Sequence, residues 1–71
     1  IPLSENAPWI SKTIRECGIR ESLQGLVVGV ERGGARHLNP PADWVLKSGD
    51  LVWVVGNTRL IQDWVKNQSL Q

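Results

Sequence analysis

A single cysteine, Cys17, excludes an internal disulfide, and one thiol cannot supply the several ligands of a structural zinc site. Histidine also occurs once, at His37, and phenylalanine, tyrosine and methionine are absent. A convergent catalytic set needs a nucleophile with its base, or paired metal ligands, and such a poor stock of reactive side chains argues against an enzyme. Charge of one sign is lacking as well. Eight basic and seven acidic residues leave a formal net charge of +1, too weak a field to hold a nucleic acid. The longest apolar run, Leu51 to Val55, falls far short of the roughly 20 residues of a membrane-spanning helix, so no direct membrane insertion is expected. The opening Ile1-Pro2-Leu3 has neither a signal-peptide pattern nor an initiating methionine, and the expectation is one domain over residues 1–71, excised from a longer protein. The absence of a disulfide framework in so short a chain fits a reducing, cytosolic compartment.

A chain of 71 residues buries a smaller share of its surface than a typical domain, so its core is thin. With no disulfide or metal to help, support is expected from oligomerisation or from a parent domain. Asn6 and Pro8 mark a helix entrance, and Ile10, Ile14 and Cys17 fall on one helical face, which predicts a helix from Trp9 to Cys17 closed by Gly18 with Ile19 as its apolar contact. A polar turn is expected around Glu21 to Gly25. Leu26-Val27-Val28-Gly29-Val30 is short and β-branched, as a buried strand would be, and Gly33-Gly34 supplies the positive φ angles of a hairpin. The return strand, Ala35 to Leu38, ends at Asn39-Pro40-Pro41. Lys47-Ser48-Gly49-Asp50 is a turn leading into Leu51-Val52-Trp53-Val54-Val55, the best core strand. Gly56-Asn57-Thr58 then caps a second helix with Leu60, Ile61, Trp64 and Val65 on one side.

Cys17, on an apolar helical face, is expected to be a plain buried thiol. Arg32, Arg36 and His37 flank the hairpin. Two guanidinium forks there could hold an anionic ligand, or the three residues could form a solvated charged edge that discourages strand pairing. Gly49-Asp50 looks like turn chemistry, since magnesium or calcium would want more carboxylates nearby. The four tryptophans, Trp9, Trp44, Trp53 and Trp64, are expected in core and interface packing.

The segments Pro8 to Glu16, Gly18-Ile19-Arg20-Glu21, Gly25 to Arg32, Asn39-Pro40, Leu46 to Asp50 and Val52 to Gly56 together resemble the TrkA C-terminal, or RCK C-terminal, domain family. The resemblance covers nearly the whole chain. It departs from the family at Ser11, where glycine is usual, and in an opening strand reduced to Ile1-Pro2-Leu3. It implies a small α+β, βαβββα-like fold with a short, mostly antiparallel sheet, two helices and a truncated first strand. It also implies a homodimer, a parent membrane transporter or RCK nucleotide-binding domain as partner, and regulation of potassium or proton-coupled cation transport from the cytoplasmic side of a bacterial inner membrane. No cofactor is required. Some members of the family bind cyclic di-AMP at the two-fold interface, and the positions matching that site are Val27, Val28, Arg32, Asn39 and Pro40. Arg36 and His37 join them as candidates because they lie beside the same segment.

Overall fold

Thr13 starts the first helix. Its side chain accepts a hydrogen bond from the Glu16 N–H, and the Glu16 carboxylate accepts one from the Thr13 N–H, a reciprocal cap that holds α1 at Ile14–Cys17. The computed structural model describes residues 1–69. The helix expected from Trp9 is therefore shortened at its start. Residues 8–11 form turns, and Ser11 adopts a left-handed backbone, φ 66°, with its N–H donating to the Leu46 carbonyl rather than into a helical ladder. The predicted end is correct, with Gly18 left-handed at φ 63° and Ile19 buried behind it.

Gly18 turns the chain into a further helix, α2, Ile19–Leu23, where a polar turn was expected. Leu23 and Ile19 are buried on its inner side, and they drive helix formation that a local reading of Glu21, Ser22 and Gln24 did not suggest. The described residues thus contain three helices instead of two. Strands β1, Leu26–Arg32, and β2, Ala35–Leu38, form a hairpin through Gly33 and Gly34, both at positive φ as a tight antiparallel turn requires. β3, Leu51–Val55, pairs antiparallel with the other side of β1, so the sheet order is β2-β1-β3. The final helix, α3, spans Thr58–Ser69 and is capped by Asn57, whose Oδ1 accepts the Leu60 N–H at 3.1 Å. Along the outer side of β3 the reduced opening strand survives as a short ladder, with Pro2 bridged to Leu51 and the Val52 N–H bonded to the Ile1 carbonyl at 2.8 Å.

Strand alternation divides the sheet into two faces. Val30 and Val52, register partners and both fully buried, face inward with Leu3, Trp9, Ile19, Leu23 and Leu46. Leu60, Ile61 and Trp64 bring α3 against this core, where Trp64 stacks on Trp9 with ring centroids 3.9 Å apart. Gln68 also reaches inward from α3, donating to the Pro2 carbonyl at 2.8 Å. The other face carries Leu26, Leu38, Trp53 and Val55, all exposed. No described element covers that face.

Candidate functional site

The bulge in β1 decides where the candidate residues go. Register shifts between Val27 and Gly29, so Val27 pairs with Val54 on the core side, whereas Val28 lines the outer face. Val28 also accepts the Asn39 N–H at 3.0 Å through its carbonyl, which fixes the start of the Asn39-Pro40 segment against the end of the hairpin. Asn39 sits at φ 50°, a left-handed conformation that asparagine tolerates better than most residues.

On the outer face a shallow hollow of about 180 Å³ is lined by Val28, Gly29, Arg36, Leu38 and Trp53. Gly29 forms its floor, since the register places it between Leu38 and Trp53 and it has no side chain of its own. At the rim, Glu31 holds two neighbours. Trp53 Nε1 donates to Glu31 Oε2 at 3.0 Å, and Arg36 Nη2 lies 3.5 Å from Glu31 Oε1. The Arg36 guanidinium also lies 5.6 Å from the centre of the Trp53 ring, so indole, carboxylate and guanidinium form one cluster.

Arg32 and His37 lie elsewhere. The Arg32 Nε and Nη2 donate to the two Asp50 carboxylate oxygens at 2.8 and 2.7 Å, Nη2 also donates to the Val45 carbonyl at 2.9 Å, and the guanidinium lies 4.8 Å from the Trp44 ring centre. Asp50 accepts the Lys47 N–H at 2.9 Å too, which closes the turn before β3. Burial alone would push the Asp50 carboxyl up, but the Arg32 hydrogen bonds, the Lys47 N–H and the two positive charges outweigh it and hold the group below its usual range. His37, paired with Val30, leans on Trp44 with ring centroids 4.9 Å apart. Within one chain, then, Val28 and Arg36 share the outer hollow, Asn39 is tied to it through Val28, and Val27, Arg32 and His37 belong to the inner side.

Asp50 is the residue whose role sequence reasoning placed incompletely. Its turn was legible, but its pairing with Arg32 across 18 positions was not. Trp53 was assigned to packing in general, and the clue to its exposure was its place in strand alternation opposite Val52 and Val54. A second groove, about 330 Å³, runs between α1, α2 and the start of β1, with Arg15 and Arg20 beside Ile14, Ile19 and Val27. Cys17 is half-buried, and burial pushes its thiol up to about 11, so it is a poor nucleophile at neutral pH. Among the described residues no cluster of three or more His, Cys, Asp or Glu side chains could hold a metal ion, and no helix is long and apolar enough to cross a membrane.

A three-stranded antiparallel sheet with helices on one face and exposed apolar side chains on the other defines a small two-layer α+β domain. The chain belongs to the TrkA-C domain family, whose model matches residues 1–66. It is 39% identical over 61 residues to the uncharacterized transporter YfbS of Escherichia coli (strain K12), a match that covers 86% of this chain and 10% of that protein. Among solved structures it is similar to the RCK_C domain dimer of S. agalactiae BusR in complex with c-di-AMP, with a TM-score of 0.83 and 22% identity over 100% of this chain and 93% of that one. BusR in complex with its busAB-promotor DNA matches with a TM-score of 0.83 and 22% identity, over 100% of this chain but 35% of that one. The RCK C domain of the potassium transport protein KtrA, in complex with c-di-AMP, has a TM-score of 0.78 and 19% identity over 94% of this chain and 79% of that one. At these identities the structural likenesses establish a shared RCK_C fold.

Proposed function

We propose that this domain is a ligand-sensing, dimerising regulator of a potassium or other monovalent cation transport protein, acting on the cytoplasmic side without catalysis of its own. The ligand is an anionic nucleotide, with cyclic di-AMP the first compound to test, bound between two copies. Family membership and the transporter relative support the regulatory setting. The c-di-AMP complexes of two similarly folded domains support the ligand class.

The observation that carries the reading is the outer hollow. Val28 and Trp53 give it apolar walls suited to a base, and the Arg36 side chain at its lip is 59% exposed and presents a planar fork suited to phosphate. The Asn39 N–H, bonded to the Val28 carbonyl, brings the Asn39-Pro40 segment to the open end of the hairpin beside the hollow. A ligand held between two chains would favour one arrangement of the pair over others, and its differential affinity would be passed to the attached transporter.

Isothermal titration of the 71-residue chain with cyclic di-AMP tests the reading, with AMP as control. Saturable binding at one ligand per two chains is expected. A dimer that takes up neither nucleotide would support the other reading of the apolar face, a purely structural dimerisation module.

A further inference from the structure

We infer that Glu31 is a selectivity residue: its carboxylate shields the Arg36 fork and restricts the outer hollow to anions with one charge per phosphate, phosphodiesters, over the more highly charged phosphomonoesters. This rests on the ligand reading above and narrows its ligand class.

Glu31 is not a wall of the hollow, but it holds two residues that are. Its Oε1 lies 3.5 Å from Arg36 Nη2, and its Oε2 accepts the Trp53 indole N–H at 3.0 Å. Val28, Gly29, Leu38 and Trp53 bring no charge to the lining, so Arg36 is the cation that an anion there would meet. The two ends of the Glu31–Arg36 contact differ in freedom. Glu31 sits on the central strand, in register with Arg36 on one side and Leu51 on the other, and its side chain is 26% exposed. Arg36 sits on the edge strand, its side chain is 59% exposed, and its contact is longer than the roughly 2.7–2.9 Å of a strong charge-assisted hydrogen bond. An incoming phosphate therefore draws Arg36 off the carboxylate, whereas the Trp53 N–H keeps the carboxylate where it is.

The consequence is a count of charge. A phosphodiester brings one negative charge, which takes over from Glu31 as the counter-ion of Arg36. A phosphomonoester brings about 1.5–2 negative charges at pH 7, and the surplus falls beside a carboxylate that stays in place. A further unit of like charge a few ångströms away at a protein surface weakens binding by about tenfold. Without Glu31 the order should turn round, because an arginine fork by itself holds the more highly charged phosphate better.

Displacement of bound cyclic di-AMP by AMP and by AMP methyl ester tests this, since the two competitors share base and sugar and differ in the esterification of the phosphate. The chains compared are wild type and E31Q. Glutamine removes the charge and keeps an amide oxygen to accept the Trp53 N–H, so the melting temperature of E31Q should match wild type. Wild type should take the methyl ester about tenfold more tightly than AMP. In E31Q that preference should vanish or reverse, and cyclic di-AMP should bind more tightly than it does to wild type. AMP no more effective on E31Q than on wild type, or an unchanged preference, would overturn the inference and leave nucleotide binding itself standing. Cyclic di-AMP binding to neither chain would overturn the ligand reading and this inference with it. Binding to E31Q alone would support the inference, with the shielding strong enough to close the site.

Discussion

Asp50 receives the Arg32 Nε and Nη2 hydrogen bonds on its two carboxylate oxygens, at 2.8 and 2.7 Å, while its own side chain is only 1% exposed. The pair joins the end of β1 to the turn before β3. Because Arg32 is already engaged here, at Val45 and against Trp44, its part in the structure is to brace this end of the sheet.

Acid should therefore weaken the fold through Asp50. Its folded-state pKa lies below the ordinary value of 3.8, so its contribution is fully present above that value and is lost as pH falls through the lower folded value. Asp50→Asn should cost about 1.5–3 kcal/mol near neutral pH, the usual range for losing hydrogen bonds to a charged group. Urea denaturation as a function of pH should show the difference between wild type and Asp50→Asn shrinking at the acid end. A constant difference would mean that the carboxylate's charge contributes nothing.

Close backbone approach predicts a second weak point. A Cβ added at Gly25 would lie 2.6 Å from the Val55 carbonyl oxygen, and one added at Gly56 would lie 2.6 Å from the Gly25 Cα. In both places the obstacle is backbone, which cannot swing aside. Gly25→Ala should destabilise by about 1–3 kcal/mol, as overpacking of a tight site does, and thermal melting would measure it. Gly33→Ala meets no neighbouring atom and should lose only the smaller amount due to its positive φ.

Ser11 is expected to respond in the opposite direction. It holds φ 66° at a position where the resembled family usually has glycine, and a side chain in the left-handed region costs about 1–2 kcal/mol. Ser11→Gly should recover part of this and raise the melting temperature, although glycine also adds freedom to the unfolded chain. A lower melting temperature would show that the serine side chain makes a compensating contact.

Elements whose signals are local were legible in the sequence. Gly33-Gly34 specified the hairpin, the β-branched run at Leu51 to Val55 specified β3, and Asn57 specified the start of α3. What escaped reading depended on partners distant in sequence or on a competing local signal. The apolar spacing of Ile10 and Ile14 suggested a longer helix, but the Thr13 and Glu16 cap starts it later and Ser11 bonds to Leu46. α2 looks polar because only Ile19 and Leu23 face the core. Alternation alone divides Val27 from Val28, but which of them faces outward could not be anticipated, because the bulge at Val28 shifts the phase that a regular strand would carry back from the buried Val30.

That division makes the two hairpin arginines behave differently, and nucleotide titration of their variants should reveal it. Arg36 lies at the lip of the outer hollow and is held only by a long contact to Glu31 and by the face of Trp53, so Arg36→Ala should leave the melting temperature of the single chain nearly unchanged. If its fork receives phosphate, the same change should weaken cyclic di-AMP binding by about 1.5–3 kcal/mol, the worth of hydrogen bonds to a charged group. Arg36→Lys should restore part of the affinity, because lysine keeps the charge and loses the planar pair of donors. Arg32→Ala should do the reverse. It leaves Asp50 buried without its cation, so stability falls, and the binding that remains in the folded fraction should stay close to wild type. Loss of binding in Arg32→Ala at unchanged stability, with Arg36→Ala binding normally, would move the phosphate contact to the inner side of the hairpin and away from the open face.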